Sequence, residues 1–344
     1  MYWIFGFIAL VVFSCACTGL LVRLAQRIAL LDIPVARSSH DRPVPVGGGG
    51  AIAATYLVGL LVCLLFSDSV ISSMHLAYFV PLVIALLGAL DDRWHLDWRA
   101  RIPVQLVCSV AVVVLLNPLE PVSLGLFTAQ GWVLDLLAIL ALVWITNLYN
   151  FMDGIDGIAG VELLFVNLVS FIFVINAGFG WLSVSVLALL AGAIGFLPWN
   201  WSPARVFMGD TGSGFCGFVL GVLALLTMKA GMMNLWAWLL LMGVFVVDAT
   251  YTLLWRFISG QRWYDGHASH AYQLAARHYK SHSKVTIVVM MINAVWLAPL
   301  AWLANLWGAA GPMLVITGYL PLLLIARKFG AGGRDQVSAA RTQF

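Results

Sequence analysis

Apolar residues in this chain fall into long runs, separated by short stretches that are rich in polar residues, glycine and proline. Eleven of these runs are close to the length that a helix needs to cross roughly 30 Å of hydrocarbon, although some are short. The runs cover residues 2–22, 50–66, 75–90, 103–117, 132–148, 158–176, 180–198, 213–229, 234–254, 285–305 and 311–326. The pattern predicts an all-α polytopic membrane protein with about eleven transmembrane helices, built as one integral-membrane domain over residues 1–344.

The composition excludes an ordinary soluble protein. Of the 344 residues, 62% are hydrophobic and 10% are charged, whereas about 25% of the residues of a soluble domain are charged. The first apolar run has no basic front and no clear cleavage site, which favours a transmembrane helix over a signal peptide. The five cysteines lie in or beside apolar runs without a CxxC pair, so we expect them to pack as small core residues.

The basic residues predict the orientation of the helices. If the N-terminus lies outside, 17 of the 18 lysines and arginines fall in cytoplasmic segments, and only Lys229 falls outside. This sorting follows the positive-inside rule. It predicts a periplasmic N-terminus, and a cytoplasmic C-terminus with a disordered tail at about 329–344. The predicted cytoplasmic loops are 23–49, 91–102, 149–157, 199–212 and 255–284.

The loop 149–157 carries Asn150, Asp153 and Asp156, with a glycine after each aspartate. Burying an aspartate in a membrane costs about 2.5–3.5 kcal/mol on insertion scales, so a pair at the water boundary suggests a function there. In a helical segment the two carboxylates would share one face. The pattern favours binding of a divalent cation and a phosphorylated substrate, while a polar helix cap is the structural alternative.

The loop 91–102 begins with the adjacent acids Asp91 and Asp92 and also contains Arg99 and Arg101. Adjacent carboxylates repel each other, so a positive charge should compensate them. The arginines could do this structurally, or a Mg²⁺ ion with a phosphate substrate could do it functionally.

Three further cytoplasmic loops carry candidate chemistry. His40 precedes four glycines, whose bare N–H groups suit either an anion site or a hinge before the second helix. Phe207 and Asp210 lie in a loop that offers a stacking surface and oxygen ligands. His267 and His270 lie in a basic loop that suits a diphosphate or, alternatively, anionic lipid headgroups.

These motifs together resemble those of the polyprenyl-phosphate N-acetylhexosamine-1-phosphate transferase family, the MraY/WecA type, and they follow the family's order over nearly the whole chain. The matching elements are Ser39-His40-x-x-Pro43-x-Pro45, Asp91-Asp92, Asn150-x-x-Asp153-Gly-x-Asp156-Gly, Pro203-Ala-x-x-Phe207-Met-Gly-Asp210, and the last large loop with its histidines. That loop has His267-Ala-Ser-His270 where the peptidoglycan branch has three consecutive histidines. It is closer to the WbpL-like branch, which initiates O-antigen or related surface glycans.

The resemblance implies transfer of a sugar-1-phosphate from a UDP-N-acetylhexosamine to undecaprenyl phosphate at the cytoplasmic face of a bacterial inner membrane, with release of UMP. The implied cofactor is Mg²⁺, or Mn²⁺ in its place. The implied partners are the two substrates and membrane lipids, with a homodimer as an option and no nucleic acid.

By the same resemblance, Asp210 would be the main metal ligand. Asp91 would orient or deprotonate the attacking lipid phosphate, and Asp92 would support the site. Asn150, Asp153 and Asp156 would hold the nucleotide and the metal. The implied substrate-binding residues are Phe207 on uracil, His267 and His270 on the diphosphate, and also His40, Arg99 and Arg101.

Three other classes of membrane protein share part of this pattern. A phospho-N-acetylmuramoyl-pentapeptide transferase belongs to the same family but has the triple histidine. A secondary transporter should show internal repeats and charges near the midplane, whereas these charges lie at one face. A CDP-alcohol phosphotransferase should continue Asp153-Gly154 with a motif that this chain lacks.

Overall fold

The computed structural model describes residues 2–34, 41–66, 72–125, 127–175, 180–262 and 267–333. These residues are almost entirely helical. The helices are α1 (Tyr2–Arg27), α2 (Gly50–Phe66), α3 (Ser73–Ala77), α4 (Val80–Trp94), α5 (Trp98–Leu116), α6 (Gly131–Met152), α7 (Ile158–Val174), α8 (Trp181–Asn200), α9 (Gly209–Lys229), α10 (Leu235–Leu241), α11 (Gly243–Ile258), α12 (Ala271–Tyr279), α13 (His282–Ile292), α14 (Ala298–Leu306) and α15 (Gly311–Lys328). Two short antiparallel hairpins, β1 (Leu31–Asp32) with β2 (Val44–Pro45) and β3 (Val122–Ser123) with β4 (Thr128–Ala129), lie in loops.

All eleven predicted apolar runs are helical, so the prediction of a helical multi-pass membrane protein is confirmed. Within the described residues, eight helical segments are long and apolar enough to cross a membrane. A ninth run forms the pair α10 and α11, which bends by 78° at Met242. The runs at α2 and α7 form shorter apolar helices. Eleven crossings and the orientation of the termini stay predictions. The predicted disordered tail begins too early, because the backbone N–H groups of Phe329–Gly333 are hydrogen-bonded, and residues 334–344 lie outside the described residues.

Helix α9 lies at the centre of the bundle. Among the most apolar 18 residues of α9, 83% are buried inside the protein, compared with 11% for α1. Small residues allow this close packing: a Cβ at Gly88 of α4 would lie 2.2 Å from the carbonyl oxygen of Asp210, and one at Gly217 of α9 would lie 2.6 Å from that of Ile145. The end of α4, the end of α6 and the start of α9 therefore meet at one face of the protein.

Two acids within the apolar runs form hydrogen bonds to other helices. Asp248 of α11 accepts hydrogen bonds from the backbone N–H groups of Ala271 and Tyr272, both at 2.9 Å, and so caps α12. Glu162 of α7 accepts a 2.6 Å bond from the side-chain amide of Asn293. A π-helical turn, Asn293–Leu297, joins α13 to α14 at this contact. Both acids stabilise helix packing.

Candidate active site

A cleft of about 740 Å³ opens where α4, α6 and α9 meet. It brings together seven of the predicted site residues, which come from four separate loops. They are Asp92, Asn150, Asp153, Asp156, Phe207, Asp210 and His267. The fold therefore brings side chains from four polar loops together in one cleft.

Asp92 binds the start of α9. Its Oδ1 accepts a 2.7 Å hydrogen bond from the backbone N–H of Asp210, and its Oδ2 accepts bonds from the N–H (3.1 Å) and hydroxyl (2.5 Å) of Thr211. A carboxylate at a helix N-terminus satisfies orphan N–H donors and the helix dipole. Gly209 has φ +73° here, and a Cβ would lie 2.7 Å from Asp92 Oδ2. Asp92 thus lines the cleft while its carboxylate holds α9 in place.

Asp210 lies at the junction of three polar groups. Its Oδ1 accepts a hydrogen bond from the side-chain amide of Asn150. Its Oδ2 lies 3.5 Å from Nη1 of Arg101. The same Nη1 donates a 2.5 Å bond to Asp91 Oδ2, and Asp91 Oδ1 accepts a 2.6 Å bond from the N–H of Leu96. Arg101 therefore links Asp91 to Asp210 behind the cleft.

Asp153 lies in the cleft just beyond α6 and is partly buried. Burial, and then the negative charges of Asp210, Asp92 and Asp156, raise the pKa of its carboxyl well above the usual range. The four acids thus crowd so much negative charge into one site that it favours either a proton on Asp153 or a bound cation.

Asp156 is held by a residue from a distant helix. Burial disfavours its charge, but His282 and the backbone N–H of Ala204 outweigh this, so the pKa of Asp156 lies below its ordinary value. Nδ1 of His282 is 3.3 Å from Oδ2 of Asp156, and the Ala204 N–H donates to the same oxygen at 3.2 Å. The hydroxyl of Thr286 also donates to the backbone carbonyl of Asp156 at 3.0 Å.

Glycines let the acidic loop approach its neighbours. Gly157 has φ +79°, and its N–H donates to the side chain of Asn200 at 3.0 Å. A Cβ on Gly154 would lie 2.2 Å from the hydroxyl of Tyr272, which donates to the carbonyl of Phe151 at 2.9 Å. The loop is therefore enclosed between α8 and α12.

The rings of His267 and His270 stack with their centroids 4.9 Å apart, but only His267 lines the cleft. His267 lines the cleft, and its Nδ1 lies 3.1 Å from Oγ of Ser269. His270 is 2% exposed, and its Nδ1 lies 3.5 Å from Asp248. His270 thus lies at the start of α12 and does not line the cleft, because it is the N-cap residue of that helix.

Four other predicted site residues do not reach the cleft or lie outside the described residues. Asp91 is 4% exposed and sealed behind Arg101, so direct contact with an attacking phosphate does not fit this arrangement. Arg101 reaches Asp210 from behind and does not line the cleft. Arg99 is exposed with its guanidinium 5.5 Å from the ring centre of Trp98. His40 lies outside the described residues.

The glycine-rich stretch serves chain packing. Gly48 and Gly49 donate their N–H groups to the carbonyls of Phe207 and Met208, at 3.0 and 2.9 Å. A Cβ on Gly49 would lie 2.3 Å from the Cα of Gly212. Of the two alternatives for this stretch, an anion site does not fit Gly48 and Gly49, because protein carbonyls already accept the hydrogen bonds of their N–H groups.

Several residues in the cleft were not predicted from the sequence. His282 and Gln273 come from α13 and α12, Asp32 comes from β1, and Arg93 and His95 come from the C-terminal end of α4. No local pattern marks His282, because Asp156 lies 126 residues away in the chain. Its position in the same basic loop as His267 was the available signal.

A second cavity of about 840 Å³ adjoins the first and shares Asp156, Phe207 and His282 with it. Its other charged residues are mainly basic, and they are Asp41, Arg42, Arg277 and Lys280. The acidic cleft thus continues into a more basic one.

The carboxylate and amide oxygens that line the cleft are of the type that binds a hard divalent cation such as Mg²⁺. Among the described residues, no three histidine, cysteine, aspartate or glutamate side chains group closely enough to form a metal site by themselves. Mg²⁺ is typically held by one or two carboxylates together with substrate phosphates and water, so Asp210 with a phosphorylated ligand would suffice.

Fold and site define a multi-pass membrane protein with an anionic cleft at one end of its helices. Residues 74–228 match the model of glycosyl transferase family 4. The chain is 27% identical to the probable undecaprenyl-phosphate N-acetylglucosaminyl 1-phosphate transferase of Bacillus subtilis, over 81% of this chain and 78% of the relative. It is 27% identical to the undecaprenyl-phosphate alpha-N-acetylglucosaminyl 1-phosphate transferase of Thermotoga maritima, over 59% and 58%.

A shorter segment is 41% identical to the phospho-N-acetylmuramoyl-pentapeptide-transferase of Moorella thermoacetica, over 28% of this chain and 30% of the relative. Residues 74–228 thus carry the family's signature, and the MraY/WecA-type resemblance identified from the motifs is confirmed.

Proposed function

We propose that this protein transfers N-acetylhexosamine-1-phosphate from a UDP-sugar to undecaprenyl phosphate and releases UMP. The product would be the lipid-diphosphate sugar that initiates O-antigen or a related surface glycan. The observation that carries the proposal is the convergence of Asp92, Asn150, Asp153, Asp156 and Asp210 in one cleft at the end of a membrane bundle. A lipid phosphate and a soluble nucleotide can meet only at such an interface.

The charge of the cleft supports this chemistry. Both substrates are polyanions, and the cleft is itself acidic, so cations must offset the charge that accumulates during phosphoryl transfer. Asp210 and Asp156 would hold Mg²⁺, or Mn²⁺ in its place. When bound, the ion supplies charge neutralisation at the donor's phosphates.

The remaining groups have roles that follow from where they lie. Asn150 holds one oxygen of Asp210 and so sets its orientation. Asp153 lines the same cleft and would help Asn150 and Asp156 to hold the nucleotide and the metal. Phe207, at the junction of both cavities, would stack on the uracil, and His267 would contact the diphosphate.

The net reaction forms one bond and breaks another. An oxygen of the lipid phosphate becomes bonded to the β-phosphorus of the UDP-sugar, and the bond from that phosphorus to the bridging oxygen breaks. The bridging oxygen leaves on the α-phosphate as UMP. Arg101 would act indirectly, since it fixes Asp210 from behind and balances Asp91.

The distribution of basic residues supports a location for the cleft. The basic loops predict that the cleft faces the cytoplasm of a bacterial inner membrane, where UDP-sugars are available. The long match to N-acetylglucosaminyl 1-phosphate transferases supports a simple UDP-N-acetylhexosamine as donor.

An assay of UMP release tests the proposal directly. The purified protein would be given a panel of UDP-N-acetylhexosamines, with and without undecaprenyl phosphate, in Mg²⁺ and in EDTA. We expect UMP only when lipid phosphate, Mg²⁺ and one of these donors are present. Absence of lipid-dependent UMP with every donor would exclude the proposal.

The short match at 41% identity favours one competing donor, UDP-N-acetylmuramoyl-pentapeptide. Including it in the panel separates the two branches of the family. Turnover with this donor alone would assign the protein to peptidoglycan synthesis instead.

A further inference from the structure

We infer that the segment Ala331–Gly333, which follows the turn that ends α15, is a clamp that positions His267 in the cleft, and that Gly332 is its positioning residue. The inference deepens the proposed function, on which its kinetic readouts rest. It starts from a hydrogen bond between two distant parts of the chain: the N–H of Gly332 donates to the carbonyl of Ser269 at 2.9 Å.

The turn that ends α15 positions the clamp. Gly330 has φ +73°, and the N–H of Ala331 donates to the carbonyl of Ala326 at 3.0 Å, which closes the helix as in a Schellman motif. Ala331 is buried against Ala271 of α12. The reversal of the chain thus carries Gly332 to the loop between α11 and α12.

Gly332 fits only without a side chain. Its φ is +76°, and a Cβ would lie 2.9 Å from both the carbonyl oxygen of Thr252 and the Cβ of Trp255. Its own carbonyl accepts a 3.0 Å bond from the side-chain amide of Gln261. Gly332 is therefore held between the end of α11 and the histidine loop by two hydrogen bonds.

Ser269 transmits this constraint to the cleft. It is 2% exposed, and its hydroxyl contacts both Nδ1 of His267, at 3.1 Å, and the guanidinium of the buried Arg256, at 3.3 Å. The backbone of Ser269 is fixed by Gly332 and its side chain orients the imidazole that lines the cleft. Moving the segment would change where His267 points.

The chain supplies a matched control. Gly330 has nearly the same φ as Gly332, but a Cβ there would meet no atom within 4 Å. Gly330→Ala and Gly332→Ala therefore impose similar backbone strain, and only the second displaces the clamp. Gln261→Leu is a second variant, which removes the donor to the Gly332 carbonyl without touching either glycine.

The kinetic test compares the variants at varied UDP-sugar and at varied undecaprenyl phosphate. We expect Gly332→Ala to lose about 10- to 100-fold in kcat/KM for the donor, because small misplacements of a binding group have effects of this size. The KM for the lipid phosphate should stay unchanged, and Gly330→Ala should lose less than about twofold. In a His267→Ala background, Gly332→Ala should have little further effect, since it acts through that imidazole.

A second readout does not depend on the activity. Modification of His267 by diethylpyrocarbonate, followed by peptide mass spectrometry, should accelerate in Gly332→Ala and in Gln261→Leu but not in Gly330→Ala. Equal effects of the two glycine variants, or an undiminished effect of Gly332→Ala in the His267→Ala background, would overturn the clamp. If the wild-type protein releases no UMP, the proposed function fails and the labelling rates alone decide on the clamp.

Discussion

Oδ1 of Asp92, at the end of α4, accepts a 2.7 Å hydrogen bond from the backbone N–H of Asp210, at the start of α9. The two acids are 118 residues apart in the chain. The carboxylate of Asp92 therefore stabilises the helix N-terminus that carries Asp210. The charge of Asp92 thus stabilises the fold directly beside Asp210, which is the proposed metal ligand.

Asp92→Asn should lower both stability and activity. The amide keeps one acceptor but turns an N–H group toward the donors of α9, so we expect a loss of about 1–2 kcal/mol in the free energy of unfolding. Thermal unfolding in detergent and UMP release measure the two effects. The control is Asp97→Asn, because Asp97 caps the exposed start of α5 through the N–H of Arg99. An equal loss in both variants would contradict a special role for the Asp92 contact.

Asp210→Asn should abolish turnover while leaving the protein folded. A neutral amide is a poor replacement for a charged Mg²⁺ ligand, so we expect a fall of about 100-fold or more in kcat. UMP release measured across a Mg²⁺ titration, with thermal unfolding as the folding check, tests this. Near-normal activity at limiting Mg²⁺ would place the metal elsewhere.

Asp153 should make the stability of the metal-free protein depend on pH. Its pKa is raised in the folded state, so the native protein binds more protons than the unfolded chain, and stability falls as pH rises above the unfolded value of about 3.9. In EDTA at neutral pH, Asp153→Asn should therefore unfold at a higher temperature than the wild type. The difference should shrink as the pH is lowered toward that value. A lower unfolding temperature for the variant at pH 7 in EDTA would show that the ionised carboxylate is stabilised in the fold.

His282→Ala should weaken the site through Asp156. The imidazole is 3.3 Å from that carboxylate, and a hydrogen bond to a charged group is worth enough to change kcat/KM by about tenfold. Steady-state kinetics with the UDP-sugar varied would measure it. His278→Ala is the control, because His278 lies on the exposed end of α12 and makes an edge-to-face ring contact with Tyr279. If both variants retain wild-type kcat/KM, the pair with Asp156 has no part in the reaction.

Cysteine labelling tests the orientation of the bundle. In a background without the native cysteines, Ser123→Cys in the hairpin β3–β4 should react with a membrane-impermeant maleimide in intact cells. His278→Cys should react only after the cells are opened, because the basic loops predict that this side is cytoplasmic. Labelling of His278→Cys from outside would reverse the orientation and move the cleft to the other side of the membrane.

Local features of this chain were predictable from its sequence, whereas features that depend on packing between distant segments were not. A run of apolar residues long enough to span a bilayer is a local property, so all eleven runs were predictable and all are helical. The position of each acid at the end of such a run is also local. It follows that Asp92, Asp153 and Asp210 could be assigned to one interface from the sequence alone.

Which side chains face the cleft is not a local property. Asp91 and Asp92 are neighbours, but the rotation of α4 directs one to Arg101 behind the cleft and the other to the start of α9. His267 and His270 are likewise divided, because His270 caps α12 beside Asp248. By itself the sequence determined that this is a helical membrane protein with acidic motifs at one face. Only the tertiary structure decided which of those residues line the cleft, because that depends on helix rotations set by packing between segments more than 100 residues apart.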